Sequence, residues 1–203
     1  MRVTDAVRGF YAVLDRDDEV LCRALLASGA RVLQVRIKPA TTSGQIARAA
    51  RMARRLCTEY GAALVVNDRA DIALAVGADG VHLGQTDVPL DRARQHFGGK
   101  LWIGISTHDL AQVRAAVDGG ADYLGFGPVF ATTTKQNPDP VQGVDGLRAA
   151  VAAAGGVPVV AIGGITSVRA AEIYAAGAAA ICAIGAVTSA TDVTAAARSL
   201  SPS

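Results

Sequence analysis

Aromatic residues make up only 4% of this 203-residue chain, and the formal net charge is +2. So few rings cannot build a stacking platform for nucleic-acid bases, and so balanced a charge leaves no polybasic surface for phosphate backbones or anionic lipid. Any affinity for anions must be local. No apolar run approaches the roughly 20 residues that span a bilayer, because Gly, Asp or Arg interrupts each one. Cys22, Cys57 and Cys182 show no CxxC spacing, and the opening Met1-Arg2-Val3-Thr4-Asp5 lacks the apolar core of a secretory leader. A reducing, cytoplasmic setting without membrane or nucleic-acid partners is expected. Also missing are GxGxxG between Leu14 and Leu21, any HxH, HExxH or Cys/His cluster, and a GxSxG elbow. These absences argue against a dinucleotide fold, a zinc centre and acyl transfer from serine.

About half of the residues are hydrophobic (51%), enough for one substantial core and short for two, so a single domain over residues 1–203 is expected. Short β-branched runs alternate with Ala-, Leu- and Arg-rich stretches of helical period, the pattern of βα units in a parallel sheet. The predicted strands are Phe10 to Leu14, Arg31 to Ile37, Ala63 to Val66, Gly80 to Leu83, Leu101 to Ile105, Tyr123 to Phe126, Pro158 to Ile162 and Ala180 to Ile184. Five of them follow a Gly-Ala pair, beginning at Gly29, Gly61, Gly77, Gly120 and Gly177, where glycine can end the preceding helix in the left-handed conformation. Helices are expected after Ser43, Pro89, Asp109 and Thr166 or Ser167. Eight such units close into an α/β (β/α)₈ TIM barrel with short loops, since that fold usually needs nearer 250 residues.

The predicted strands end in polar residues. Side chains alternate along a strand, so Gln34, Arg36 and Lys38 should share one face, with Val35 and Ile37 on the other. Other strands run into Asn67-Asp68-Arg69, Gln85-Thr86-Asp87, and the stretch from Pro128 to Lys135. In a barrel the C-terminal strand ends form the active site. Two anion sites separate there. Gly163-Gly164-Ile165-Thr166 and Gly185-Ala186, after the last two strands, suit a phosphate monoester, or serve only as tight turns. Arg36, Lys38 and Lys135 with Asp68 and Asp87 suit Mg²⁺ bridging carboxylate to diphosphate, or form a salt-bridge network at a polar mouth. Asp68 could instead cap the helix after Arg69, and Asp87 the helix after Pro89. The amides of Gln34 and Asn67 could pair with a heterocycle, and the Ser106 hydroxyl could meet a phosphate oxygen or a reacting group. His82 reads as a satisfied core histidine, His108 as rim or structure, and His96 as surface.

Together, Q-x-R-x-K at Gln34, Arg36 and Lys38, the Asn67-Asp68 pair, His82 to Asp87, Gly104 to His108, Gly127-Pro128-Val129-Phe130 with Thr132, Thr134 and Lys135, and Ala161 to Ile165 resemble the thiamine-phosphate synthase family in order along nearly the whole chain. The resemblance implies condensation of hydroxymethylpyrimidine diphosphate with hydroxyethylthiazole phosphate, or its carboxylated precursor, releasing diphosphate. It implies that Gln34, Arg36, Lys38, Asn67, Ser106 and Lys135 hold the pyrimidine diphosphate and that Asp68 and Asp87 hold magnesium. Arg36, Lys38, Ser106 and Lys135 become the catalytic set. Thr132, Thr134, Gly164, Ile184 and Gly185 would hold the thiazole phosphate. It further implies ionisation to a stabilised pyrimidine cation before the thiazole nitrogen attacks, with no general base needed at that step.

Departures from the family pattern are Ile37 where relatives often carry an acid, Gly185 where they often carry serine, and Gly-Ala-Ala in place of Gly-Ala-Asp before the last strand. The segment from Gln136 to Gly143 is expected to order over bound substrate. The competing readings are a thiazole tautomerase, a phosphosugar isomerase or epimerase, and a non-catalytic phosphate-ligand regulator. A homo-oligomer stays open.

Overall fold

The computed structural model describes residues 1–38, 42–132 and 139–202. Eight parallel strands close in sequential order, with β8 returning to β1. They are β1 (Gly9–Leu14), β2 (Val32–Val35), β3 (Ala63–Asn67), β4 (Gly80–Leu83), β5 (Trp102–Thr107), β6 (Tyr123–Phe126), β7 (Val159–Ile162) and β8 (Ala180–Cys182). Between them run α2 (Glu19–Ala27), α3 (Ser43–Tyr60), α4 (Ala70–Ala75), α5 (Leu90–Phe97), α6 (Leu110–Asp118), α7 (Gly143–Ala153) and α8 (Ala170–Ala175). Two further short helices, α9 (Gly185–Thr188) and α10 (Val193–Arg198), follow β8. The expected barrel is the observed one. Gly61 ends α3 at φ 68°, its N–H bonding back to the last turn, and the Thr42–Gln45 capping box starts the same helix.

Two apolar cores divide the work. The larger lies between strands and helices and includes Leu14, Leu33, Leu64, Leu83, Ile103 and Leu124 from the outward faces of the strands. The smaller fills the barrel with Tyr11, Val13, Val32, Val65, Tyr123 and Val160, and is joined by Ala6 and Val7. Those two belong to α1 (Val3–Ala6) and its C-terminal boundary, a turn that the sequence pattern did not suggest. Its shortness explains why, since four residues carry no helical period.

Several boundaries differ from the pattern reading. β2 stops at Val35 rather than Ile37, so strand alternation governs Gln34 but not Arg36 or Lys38. One ladder bond continues, from Arg36 N–H to the Leu14 carbonyl (2.9 Å), before the chain leaves the sheet. β8 stops at Cys182 rather than Ile184, and Ile184 is instead the residue before α9. The helix expected at Val168 begins as a 3₁₀ turn, Ser167–Arg169, ahead of α8.

At the N-terminal end of the barrel, two aspartates hold the wall together. Asp79 Oδ2 accepts from Leu64 N–H (2.8 Å) and from Arg54 (2.7 Å). Asp122 Oδ2 accepts from Ile103 N–H (2.7 Å) and is paired with Arg94. An open depression of about 300 Å³ lies between these groups. Its carboxylates are already satisfied, and it lies away from the polar strand ends. Among the described residues no helix is long and apolar enough to cross a membrane.

Candidate active site at the C-terminal barrel mouth

The opposite end gathers the unusual polar groups. A cleft of about 150 Å³ is lined by Arg36, Lys38, Ile46, Asn67, Asp68 and Arg69. Lys38 reaches across it to Asp68, Nζ to Oδ2 at 3.0 Å. Asp68 itself sits at φ 61°, a left-handed conformation that non-glycine residues seldom adopt, while its N–H donates to the His82 carbonyl (2.9 Å). That bond extends the β3–β4 ladder by one residue and turns the carboxylate towards Lys38. Asp68 does not cap α4, whose N-terminal boundary residue Arg69 has no side-chain cap bond.

Asp87 is likewise no helix cap: Pro89 bounds α5 without one. Its Oδ2 instead accepts from Gly84 N–H at 2.7 Å. Partial burial, with the Asp68 carboxylate close beside it, pushes the Asp87 carboxyl above the ordinary carboxylate range, against the pull of Gly84 and Lys38. Two carboxylates this near, with one lysine between them, form a donor set that a cation would relieve. Magnesium fits that set. It takes one or two carboxylates and completes its shell with waters and substrate phosphate oxygens. Among the described residues no cluster of three or more His, Cys, Asp or Glu could cage a metal without such help.

Beneath the mouth, Ser106 Oγ lies 2.9 Å from His82 Nε2, and His82 Nδ1 lies 3.0 Å from Tyr123 Oη. Tyr123 Oη is 2.8 Å from Tyr11 Oη, which receives the Gln34 side-chain N–H at 3.1 Å. His82 is therefore the satisfied core histidine expected of it. Burial first, then the nearby Arg36 charge, lower its pKa to about 4, so the ring is neutral near pH 7. Gln34 is 4% exposed, and its amide nitrogen donates to Tyr11 within the barrel. Tyr11 and Tyr123 went unnoticed in the sequence because buried tyrosines on strands usually read as packing. The available signal was their phase: Tyr11 shares the inward face with Val13, and Tyr123 stands beside Gly104 in the register.

The glycine loop after β7, expected to form part of a second anion site, lies against the loop after β6. Gly163 (φ 91°) and Gly164 (φ 63°) are needed because the β7 loop presses on the β6 loop. A Cβ at Gly164 would lie 2.3 Å from the Ala131 carbonyl oxygen, and one at Gly163 would lie 2.6 Å from Pro128 Cα. The turn role of these glycines is thus met by direct contact. Thr132 lies in that β6 loop, and Ile184 and Gly185 lie where β8 leads into α9, with β7 between the two strands. Thr134 and Lys135, with the first part of the segment from Gln136 to Gly143, lie outside the described residues. His108 Nδ1 contacts the Gly127 carbonyl oxygen at 2.6 Å, a structural role at the start of the loop before α6.

The thiamine monophosphate synthase family profile matches residues 9–187. A thiamine-phosphate synthase of Chloroflexus aurantiacus is 48% identical over 91% of this chain and 84% of its own length. One from Laribacter hongkongensis is 46% identical over 87% of this chain and 82% of that protein. Among solved structures, thiamine phosphate pyrophosphorylase from Pyrococcus furiosus superimposes with a TM-score of 0.87 at 38% identity, covering 96% of this chain and 94% of that one. An aldolase of Zymomonas mobilis acting on 2-keto-3-deoxy-6-phosphogluconate, at 20% identity and a TM-score of 0.73, shares the barrel alone. With the family profile spanning most of the barrel and relatives at this identity along nearly all of it, the chain belongs to the thiamine monophosphate synthase family and is a transferase of that kind.

Proposed function

We propose that the barrel mouth joins hydroxymethylpyrimidine diphosphate to hydroxyethylthiazole phosphate. The methylene carbon–oxygen bond breaks, diphosphate leaves with the electron pair, and the thiazole nitrogen supplies the pair for the new carbon–nitrogen bond. The observation that carries this reading is the Lys38–Asp68 contact beside a raised Asp87 at the strand ends. Asp68 and Asp87 would hold Mg²⁺, which when bound supplies charge neutralisation to the diphosphate oxygens. Arg36 and Lys38, and Lys135 from outside the described residues, stabilise the same developing charge. Asn67, Gln34 and Ser106 orient the pyrimidine diphosphate. Thr132, Thr134, Gly164, Ile184 and Gly185 hold the thiazole phosphate through backbone donors and hydroxyls. No side chain need remove a proton from the attacking nitrogen, because its lone pair is already free. A cytoplasmic location accords with three unpaired cysteines.

The test is to incubate the purified protein with both substrates and Mg²⁺, following thiamine phosphate and diphosphate, with EDTA and single-substrate controls. Product that requires both substrates and metal is expected. Lys38→Ala should lower turnover by roughly a hundredfold while leaving the melting temperature close to that of the parent, since the lysine side chain is 53% exposed. Product formed equally well without metal would overturn the roles given to Asp68 and Asp87.

A further inference from the structure

The barrel encloses one unbroken file of hydrogen bonds that crosses five strands: Gln34 on β2, Tyr11 on β1, Tyr123 on β6, His82 on β4 and Ser106 on β5. Glycines make room for it. A Cβ on Gly104 would fall 2.1 Å from Tyr123 Cζ, and one on Gly125 would fall 3.3 Å from His82 Cε1. Both glycines stand inside strands, where the residue weakens the sheet, so the space they leave for two polar rings comes at a cost in stability.

The direction of the file follows from its first member. An amide nitrogen can only donate, so Tyr11 Oη accepts from Gln34 and must spend its single proton on Tyr123. Tyr123 then has its proton left for His82 Nδ1. A neutral imidazole that accepts at Nδ1 carries its proton on Nε2, which faces Ser106 Oγ. Ser106 Oγ accepts that hydrogen bond, and the serine's own hydrogen is left to point elsewhere. The opposite polarity would need the carbonyl oxygen of Gln34 against Tyr11 and would turn the serine proton down onto His82. An anion at the mouth would then meet only lone pairs.

We infer that Tyr11, Tyr123 and His82 are positioning residues that transmit the orientation of the Gln34 amide to Ser106 and hold its hydroxyl as a donor towards the leaving diphosphate. This rests on the role given to Ser106 under the proposed function. It also ties two substrate contacts together: fixing the amide at one end fixes the hydroxyl at the other.

The first measurement needs no variant. Long-range ¹H–¹⁵N correlation on the uniformly labelled protein at neutral pH reads the tautomer of His82, its signals identified by difference from His96→Gln and His108→Gln. A single Nε2–H tautomer is expected, and an Nδ1–H tautomer or a mixture would overturn the inference. The second is kinetic. Tyr123→Phe keeps the ring and removes one link, and should lower kcat by roughly tenfold to a hundredfold. In a Ser106→Ala background the same change should add little, because its effect passes through the serine. Equal losses in both backgrounds would mark a merely structural tyrosine and refute the positioning role. If the phenylalanine variant does not fold, the tautomer of the unmodified protein still decides. Lack of turnover in the unmodified protein strikes the assigned reaction, whereas the wrong tautomer beside normal turnover strikes the file alone.

Discussion

Asp87 is held above the ordinary carboxylate range by burial and by Asp68, and that has a consequence for pH and metal. A carboxyl whose folded pKa lies above its unfolded value contributes stability when protonated and loses it as pH rises through the folded pKa. Ionisation of Asp87 beside Asp68 is therefore disfavoured in the metal-free protein, and Mg²⁺ held by the two would relieve that cost. Asp87→Asn should leave the metal-free melting temperature at pH 7 no lower than that of the parent and abolish the rise produced by Mg²⁺. Turnover should fall roughly a hundredfold or more. Thermal melts of both proteins with and without Mg²⁺ check this, and a metal-dependent rise that survives in the variant would contradict the ligand role. The residues themselves were legible in the sequence, where two aspartates at strand ends stood near Arg36 and Lys38. Their pairing was not. Asp68 and Asp87 are separated along the chain, and only the β3–β4 register, with the left-handed turn at Asp68, sets them side by side.

At the scale of elements, the two ends of the strands have separate duties. The C-terminal ends carry the cleft, whereas the N-terminal ends carry Asp79 and Asp122, which tie β4 to β3 and β6 to β5. Asp122 accepts the Ile103 N–H of β5 and anchors Arg94 of α5, so three elements meet at one carboxylate. Asp122→Ala would leave a backbone donor without its partner and should cost about 1–3 kcal/mol of stability. Activity per folded molecule should stay unchanged, because the site lies at the far end. Urea unfolding alongside turnover normalised to folded protein tests the separation, and lost activity with unchanged stability would count against it. Before β8 the equivalent place holds Ala179, whose N–H donates to the Val159 carbonyl without a carboxylate clip. The Gly-Ala pairs were visible in the sequence as helix stops, and an aspartate follows two of them, at Asp79 and Asp122. The role of that aspartate as a side-chain clasp across strands needs coordinates, since the N–H it accepts belongs to the preceding strand.

For the whole molecule, closure of the barrel decides which groups are chemically reachable. Cys22 and Cys57 are fully buried between the sheet and the helices, and burial pushes both thiols up to about 12. Under native conditions a thiol reagent at pH 8 should therefore react with neither at a useful rate. In denaturing urea all three cysteines should titrate. Counting modified thiols over time by mass spectrometry checks this, and rapid native labelling of Cys22 or Cys57 would show that α2 or α3 opens readily. The same closure puts Tyr11, Tyr123 and His82 inside with Gln34, where the polar file is shielded from water.

The alternation of β-branched runs with helical stretches, and the Gly-Ala stops between them, determined an eight-fold βα order, because strand period and helix termination are local properties. The residue types at the strand ends likewise determined that cations, carboxylates and amides would gather at one mouth. Tertiary structure decided the rest. It ended β2 at Val35, so that Arg36 and Lys38 are placed by a loop rather than by strand alternation. It showed that Gly163 and Gly164 answer to a neighbouring loop, and that Gly104 and Gly125 answer to neighbouring rings. It also turned Gln34 inward to begin a chain that ends at Ser106. These outcomes depend on which strands become neighbours when the sheet closes, and residues distant in sequence carry no local signal of that contact.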